Sequence, residues 1–376
     1  MKLSDVVNRI NGNVDRFTTD LEYYIGGEHF DSCELEISRK GLIKPNLNIL
    51  GFKFHFAFQE RDVIFMARNP HLRKAGMVFF SGLCSDASYI LRSKNEAILT
   101  QEYLAVMLQS DHFWDYCEAH KVGSVNFAIN WKTMANYEFD LPTIEQQKIV
   151  AEKVWAAYRL KQSYRNLISA TDEIVKSQFI EMFYGRETTP AKEYLEDSYP
   201  GEWGTEDNDG NGVKVIRTTN FTNTGKLNLE DVVTRNIEER KVTRKQIRKF
   251  DTILERSGGT TDNPVGRVVL FEDEGQYLCN NFTQVLRFKD IDPRYAFYAL
   301  YFFYQTNKTA IRSMGSKTTG IQNLNMSKYL EIGIPNATQD EQNDFVRIAE
   351  QADKSKFELR KSIEAIDAVI KSLINS

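Results

Sequence analysis

Apolar residues recur at heptad spacing near the end of the printed sequence. Leu359, Ile363, Ile366, Ile370 and Leu373 are separated by steps of 4, 3, 4 and 3 residues. This spacing places apolar side chains along one narrow stripe of a helix and is typical of the seam between two packed helices. The pattern predicts a long C-terminal helix whose apolar stripe requires a partner helix.

An internal repeat supplies that partner. The segment DEIVKSQF begins at Asp172 and the similar segment DAVIKSLI begins at Asp367, an offset of 367 − 172 = 195. Upstream, LPTIEQQ at Leu141 matches IPNATQDEQ at Ile334 once a two-residue gap is allowed. The chain is therefore a tandem repeat of about 195 residues, each unit ending in a long helix. At the same offset, the first helix carries the more polar stripe Tyr164, Ile168, Thr171, Val175 and Gln178.

Prolines and a glycine indicate where these helices begin and end. Pro142 and Pro335 are favourable just before a helix, and Gly185 is a favourable C-terminal cap. Residues 143–184 would form a helix roughly 60 Å long at about 1.5 Å per residue. A lone amphipathic helix would more often pack on its own globular domain, but a matched pair favours antiparallel packing of the two helices.

We therefore predict an α+β fold with a pseudo-twofold internal repeat. Two α/β globular domains would be separated by two long antiparallel coiled-coil helices, with the globular domains at opposite ends. The predicted boundaries are 1–141 for the first domain, 142–185 for the first helix, 186–334 for the second domain and 335–376 for the second helix.

The globular parts share a weaker pattern. RDVIFMARNP around Asp62 resembles FDTILERSGG around Asp251, each predicting a charged turn, a short buried strand and a loop that bears an arginine, Arg68 or Arg256. A glycine and a second apolar strand follow in both. Glycine-led polar loops come later in both repeats, GSVNFAIN from Gly123 and GSKTTGIQNLN from Gly315.

Composition narrows the class of protein. Hydrophobic content of 41% and charged content of 27% are typical of a folded chain. The net charge of −4 argues against a surface that is basic throughout, but DNA binding depends on the local charge of one face. The start of the chain lacks an apolar signal core, and its longest apolar run, 296–304, is too short to span a bilayer.

Cysteine and histidine patterns indicate no metal or redox site. Cys33, Cys84, Cys117 and Cys279 stand alone, without a C-x-x-C pair, and we interpret them as reduced thiols of a cytoplasmic protein. The five histidines show no metal-ligand spacing. We expect neither a metal nor a cofactor.

The repeated helix ends and the strand-loop pattern DTILERSGGTTDNPVGRVVLF resemble the specificity subunits of type I restriction-modification systems along nearly the whole chain. The first globular part has no counterpart of the Ser-Gly-Gly at Ser257–Gly259. The resemblance implies a DNA-binding subunit without its own catalytic site. It also implies that both globular parts are target recognition domains, each reading one half of a bipartite double-stranded DNA site. The helices would fix the unread spacer and dock methyltransferase subunits and, through them, restriction subunits.

Loops rich in arginine, glycine and small polar side chains are the candidates for reading bases. Arginine can donate two hydrogen bonds to guanine, asparagine can pair similarly with adenine, and glycine lets the backbone approach phosphate closely. Any single one of these residues could equally be a solvated loop residue, so the hypothesis depends on the set. In the second domain the set is Arg256, Ser257, Gly258, Thr260, Thr261, Asn263, Arg217, Thr218, Thr219, Asn220, Lys317, Thr318 and Thr319. In the first domain it is Arg68, Asn69, Arg73, Lys74, Ser124 and Asn126.

The densest basic stretch lies in the second globular part. It either follows the DNA backbone or is a solvated helical face. Its cations are Arg235, Arg240, Lys241, Arg244, Lys245, Arg248 and Lys249.

Catalytic motifs are missing from the sequence. It contains no phosphate loop ending in Gly-Lys-Ser/Thr, no G-x-S-x-G and no Asn/Asp-Pro-Pro-Tyr/Phe signature of an adenine methyltransferase. Glu239-Arg240-Lys241 matches the Glu-x-Lys of nucleases but lies in a hydrophilic charge run. The alternatives to a DNA-reading subunit are a stand-alone DNA endonuclease and a coiled-coil scaffold without DNA binding.

Overall fold

The computed structural model describes residues 1–46, 50–260, 263–318 and 321–375. The chain divides into two compact units. The first unit is Met1–Ile168 with Phe357–Ser376, and the second unit is Ser169–Lys356. Each unit contains one globular part and a section of both long helices.

In the first unit a short helix precedes a series of short strands, and most of the helices follow the last strand. Its helices are α1 (Leu3–Val6), α2 (Gln101–Met107), α3 (Asp111–Ala119), α4 (Trp131–Met134) and the start of α5 (Ile144–Phe183). Its strands are β1 (Val7–Ile10), β2 (Tyr23–Ile25), β3 (Gly41–Leu42), β4 (Phe54–Phe58), β5 (Val63–Met66), β6 (Ala75–Met77), β7 (Gly82–Ser85) and β8 (Ser88–Ser93). Short 3₁₀ turns lie at Gly27–His29, Lys44–Asn46 and Pro70–Leu72.

The second unit repeats this order with more strands. Its strands are β9 (Thr188–Pro190), β10 (Leu195–Pro200), β11 (Thr205–Glu206), β12 (Val213–Ile216), β13 (Val233–Asn236), β14 (Thr252–Glu255), β15 (Ser257–Gly258), β16 (Val268–Leu270), β17 (Tyr277–Cys279), β18 (Thr283–Phe288), β19 (Gly315–Thr318), β20 (Ile321–Leu324) and β21 (Gly333–Pro335). Its helices are α6 (Glu239–Lys245), α7 (Pro293–Thr306), α8 (Lys308–Ser313), α9 (Met326–Tyr329) and the start of α10 (Gln339–Ile374). The 3₁₀ turns are Ala191–Tyr194 and Thr218–Asn220.

The two long helices start with the same capping arrangement. The Thr143 backbone N–H donates to Gln146 Oε1 at 3.0 Å, and the Gln146 N–H donates to Thr143 Oγ1 at 3.3 Å. Thr338 and Glu341, 195 residues further on, exchange the same bonds at 2.8 and 3.4 Å. These bonds satisfy backbone donors that have no partner within the helix. Pro335 completes strand β21, and α10 begins four residues later.

Helices α5 and α10 pack together. In the first unit, Lys161 Nζ lies 2.7 Å from Asp367 Oδ1. In the second unit, Lys356 Nζ lies 2.6 Å from Asp172 Oδ1, and the Phe179 ring lies 5.1 Å from Phe345. Residue numbers fall along α10 as they rise along α5, so the helices are antiparallel. Lys161 and Lys356 are 195 residues apart, as are Asp172 and Asp367, so the two ion pairs are equivalent under the repeat.

Each unit contains an antiparallel four-stranded sheet of the same topology. The strand order is β1-β8-β5-β6 in the first unit and β10-β18-β14-β16 in the second. The central strands β5 and β14 are buried along their full length. Their apolar side chains form the cores against helices α2 and α7.

A second sheet in each unit contains one parallel strand pair, β2 with β7 and β12 with β17. Its order is β3-β2-β7-β4 in the first unit and β11-β13-β12-β17 in the second. The second unit adds a three-stranded sheet, β15-β20-β19, where the first unit has the isolated bridges Arg68–Ala128 and Val122–Ala128. The predicted α+β class, internal repeat and paired long helices are confirmed.

A buried ion pair fixes the start of the central strand in both units. Arg92 donates two hydrogen bonds to Asp62, at 2.8 and 2.9 Å. Arg287 donates to Asp251 at 2.9 and 2.6 Å. Both carboxylates are almost fully buried, and a buried charge is tolerated when it is paired in this way. The residues that follow these strands are the loops that the sequence singled out.

Candidate nucleic-acid interface

The turn after β14 carries Arg256. Its backbone N–H donates to Phe282 O at 2.9 Å and its carbonyl accepts from Leu324 N at 2.8 Å, so two neighbouring segments fix its position. The side chain is half-buried. Across the part of the chain that the structure describes, its guanidinium forms no hydrogen bond or ion pair. This arginine is held in place by its backbone while its donors stay available.

Glycines shape the loop that follows. Gly258 and Gly259 have φ of +113° and +68°, a region that favours glycine. A Cβ at Gly259 would lie 2.8 Å from Val265 N. Two hydrogen bonds join Thr260 to Asn263: Thr260 N donates to Asn263 O at 2.7 Å, and Asn263 N donates to Thr260 Oγ1 at 3.1 Å. Thr260 is exposed.

Four further candidates of this loop region belong to segments described only in part. Thr261 and Thr319 lie outside the described residues. Lys317 and Thr318 are part of strand β19, which pairs with β20.

Two predicted base-reading side chains are instead buried within the fold. Ser257 Oγ hydrogen-bonds to Asn323 Oδ1 at 2.7 Å. Asn220 Nδ2 donates to Asp231 O at 2.8 Å, and its Oδ1 accepts from Arg217 N at 2.8 Å. Both residues are below 9% exposure. They hold their loops in shape.

Arg217 and the threonines beside it remain at the surface. Arg217 Nη2 lies 3.2 Å from Asp231 Oδ2, whose side chain is 94% exposed. A pair of this kind is weak in water, so a phosphate could replace the carboxylate. Thr218 is half-buried and Thr219 is exposed in the 3₁₀ turn.

In the first unit the exposed candidates lie on two neighbouring loops. Arg68 is exposed, and Asn69, with φ of +52°, donates its N–H to Phe127 O at 2.8 Å. The second loop presents Ser124 and Asn126, both exposed. It turns at Gly123, where a Cβ would lie 2.6 Å from Asn126 O. Backbone bonds therefore bring the two loops together.

Arg73 and Lys74 have partners within the first unit. The Arg73 guanidinium hydrogen-bonds to Asp111 and thereby holds the pKa of that carboxyl below its usual range. Lys74 Nζ donates to Gly27 O at 2.8 Å. Their positive charges are therefore less available to a ligand than that of Arg256.

A buried ion pair that the sequence did not reveal lies directly before Arg256. Arg267 Nε donates to Glu255 Oε2 at 2.7 Å, and Glu255 is 2% exposed. The available signal was an acidic residue at the end of an apolar strand, with an arginine at the start of the next. The pair fixes the backbone on which Arg256 stands.

The described residues allow two kinds of chemistry to be assessed, metal binding and thiol catalysis. Among them, no group of three or more His, Cys, Asp or Glu is placed to hold a metal ion. Burial raises the pKa of the Cys84 thiol to about 12 and that of Cys279 to about 11, so neither is an activated nucleophile. No described helix is both long enough and apolar enough to span a bilayer.

The family model of the type I restriction modification DNA specificity domain matches this chain twice, over residues 1–166 and 200–367. The chain belongs to the type I restriction-modification DNA specificity family. Each matched region, called a specificity domain below, covers most of one globular part and more than half of the long helix that follows it. No curated protein matches the chain.

Solved structures resemble the whole specificity chain in fold. One is a chain from a structure that addresses complex assembly and conformational transition of the type I R-M system, with 17% identity and a TM-score of 0.55. It covers all of this chain and 95% of its own length. Another is the S subunit of the type I restriction-modification system of M. genitalium, with 10% identity, a TM-score of 0.56 and coverage of 100% and 94%.

Proposed function

We propose that this chain is a non-catalytic specificity subunit that binds double-stranded DNA, with each specificity domain reading one half of a bipartite site. The duplicated turn after the central strand carries the proposal. In one repeat it presents Arg256 without an ionic partner among the described residues, and in the other it presents the exposed Arg68. Rigid backbone with free donors suits base reading in the major groove.

The long helices would set the number of unread base pairs between the half-sites and dock methyltransferase subunits, which in turn bring restriction subunits. Exposed apolar side chains on α5 support the docking role. Leu160, Leu167 and Ile174 follow one another at seven-residue steps and are 46%, 50% and 56% exposed. A stripe of this spacing suits the packing of another helix.

The spacer function can be tested by lengthening both helices equally. Seven residues inserted after Asn166 and seven after Lys361 would fall between the two interhelical ion pairs and leave both intact. About 10 Å of added helix corresponds to about three base pairs of DNA. We expect an unread spacer longer by about three base pairs with unchanged half-sites.

The measurement is methylation mapping after co-expression with a compatible methyltransferase subunit. An unchanged spacer would contradict the proposal. Inserting seven residues after Asn166 alone is the matched control. That change lengthens α5 between Lys161 and Asp172 but leaves the distance between their partners on α10 unchanged. The two interhelical ion pairs can then no longer form together, so we expect methylation to be lost.

The absence of catalysis is tested separately. The purified chain, incubated with duplex DNA and magnesium, should leave the DNA intact and shift its mobility in a salt-dependent manner. Cleavage by the purified chain would favour the endonuclease alternative. Failure to bind DNA, alone or with methyltransferase subunits, would favour the scaffold.

A further inference from the structure

Helix α6 carries four cations of the basic stretch 235–249, and they lie on two different faces of the helix. One face is attached to the body of the second unit. Lys245 Nζ lies 2.9 Å from Glu202 Oε2 and 3.3 Å from Gly201 O, while Lys241 Nζ lies 3.3 Å from Glu202 Oε1. The hydrogen bond from Lys245 is the main cause that lowers the pKa of Glu202. Val242, between the lysines, is 5% exposed and packs with Val215.

The other face carries Arg240 and Arg244, one helical turn apart. Both are exposed, and neither forms a hydrogen bond or an ion pair with any residue in the described part of the chain. Like charges at this spacing destabilise a helix. The two arginines therefore do not stabilise the folded helix, whereas together they would attract an anionic ligand.

A short series of contacts links helix α6 to the Arg256 turn. Lys245 donates to Gly201 O, and Gly201 N donates to Thr283 O at 3.1 Å. Phe282, next to Thr283, accepts the backbone N–H of Arg256 at 2.9 Å. The position of α6 is therefore coupled to the turn that we propose reads bases.

The first unit differs at this position. After β3, which corresponds to β13 in sheet topology, the described residues of the first unit form the 3₁₀ turn Lys44–Asn46, whereas the residues after β13 form α6. The two specificity domains thus present different groups beside the same sheet.

We propose that Arg240 and Arg244 bind phosphates of the DNA backbone next to the half-site read by the second domain. This inference rests on the proposed DNA-reading function. It makes the second domain an electrostatic anchor that binds any sequence, while the Arg256 turn selects among sequences. Phosphate contacts supply affinity and position without base preference.

The test is salt-dependent binding by Arg240→Gln/Arg244→Gln in the full chain. The probes are a fluorescent random-sequence duplex and a duplex carrying the half-sites found by methylation mapping, each titrated between about 50 and 200 mM KCl. Each lost phosphate contact should make the slope of log K against log salt less steep by about 0.9. We expect the double variant to lose about 1.8 in slope, with the same weakening on both duplexes.

Arg347→Gln/Lys354→Gln on α10 is the matched control, because it removes two exposed positive charges of the same unit. It should keep the wild-type slope. The urea midpoint of the Arg240→Gln/Arg244→Gln variant should equal or slightly exceed that of the wild type, since a repulsion is relieved.

An unchanged slope would overturn the inference, as would a loss confined to the mapped duplex, which indicates base reading. Weaker capture of methyltransferase subunits with unaltered DNA binding would also overturn it and assign the face to a protein partner. If the wild-type chain itself binds neither duplex, the proposed function fails together with this inference.

Discussion

The two units attach their globular part to the long helices through ion pairs of opposite polarity. In the first unit, Glu34 of the globular part lies 3.1 Å from Lys161 and 2.9 Å from Arg165 of α5. In the second unit the globular part supplies Lys226, which lies 2.7 Å from Asp353 of α10. The acid belongs to the globular part in one unit and to the helix in the other.

The ion pairs between the two long helices, by contrast, are the same in both units. Lys161 and Lys356, equivalent under the repeat, are both buried and both pair with the opposing helix. Burial raises the pKa of Glu34, but its bonds to Arg165 and Lys161 outweigh burial, and the net pKa is lowered. The same balance lowers the pKa of Asp353 through Lys226. The two units therefore share the ion pair between the long helices but differ in the sign of the charge that the globular part contributes.

The largest expected difference between the units concerns the buried strand-start ion pairs. Asp251→Ala leaves Arg287, whose side chain is 9% exposed, without its carboxylate, and should lower the free energy of unfolding by about 3–5 kcal/mol. Asp62→Ala should cost less, because Arg92 is 36% exposed and can be hydrated. Urea unfolding followed by circular dichroism measures both. Equal losses would show that the two pairs are not distinguished by burial.

The second-largest effect is expected at the ion pairs that attach each globular part to the long helices. Glu34→Gln removes a charged acceptor from Lys161 and Arg165 and should lower the free energy of unfolding by about 1.5–3 kcal/mol. Lys226→Met should cost less, because Asp353 keeps Lys356 at 2.8 Å. Lys192→Gln, which removes an exposed pair with Glu331, is the control and should have a far smaller effect. If Lys192→Gln lowered the free energy of unfolding as much as Glu34→Gln, burial of the ion pair would not explain its contribution to stability.

Base reading should distinguish Arg256 from Arg73. Arg256→Ala should weaken binding to the mapped site by about 1–3 kcal/mol and binding to random DNA much less. Arg73→Ala should leave both affinities near the wild-type values, since Asp111 already holds its guanidinium. Fluorescence anisotropy with both duplexes checks this. Equal losses on the two duplexes would reduce Arg256 to a phosphate contact.

The smallest expected effect concerns pH at the helix starts. The hydrogen bonds from Arg186 and from the Thr338 N–H lower the pKa of Glu341 from its ordinary value of 4.5 to about 2. A carboxyl with a depressed folded-state pKa stabilises the fold above pH 4.5 and loses that contribution as pH falls toward 2. The equivalent residue of the first unit, Gln146, does not titrate.

Glu341→Gln should therefore flatten the decline in stability between about pH 4.5 and pH 2. Urea midpoints measured at several pH values across this window provide the test, with Glu145→Gln at the start of α5 as the control. An unaltered pH profile in Glu341→Gln would contradict the assignment.

The helices were predictable from sequence because their contacts repeat. The heptad residues from Leu359 to Leu373 and the stripe from Tyr164 to Gln178 are all at least half-buried. The pattern did not reveal that Lys161 and Lys356, three residues before these stripes, are also buried. Lysine at a helix seam looks solvated until its carboxylate on the opposing helix is known.

The reading loops were harder to predict because exposure there depends on tertiary hydrogen bonds. The sequence pattern paired Arg68 with Arg256. The backbone hydrogen bonds instead make Ala67 the structural equivalent of Arg256. Ile129 N donates to Ala67 O just as Leu324 N donates to Arg256 O. A shift of one residue in extended chain reverses the side to which a side chain points. The individual DNA-contacting residues remain predictions.

The reciprocity of the two interhelical ion pairs has a consequence for assembly from shorter chains. Each lysine meets the aspartate that the other repeat contributes, and both repeats carry the same two residues at the same separation. Two molecules of a half-length polypeptide that ends after its long helix would satisfy both pairs in the same way. The full-length chain thus corresponds to two such half-length polypeptides joined into one molecule.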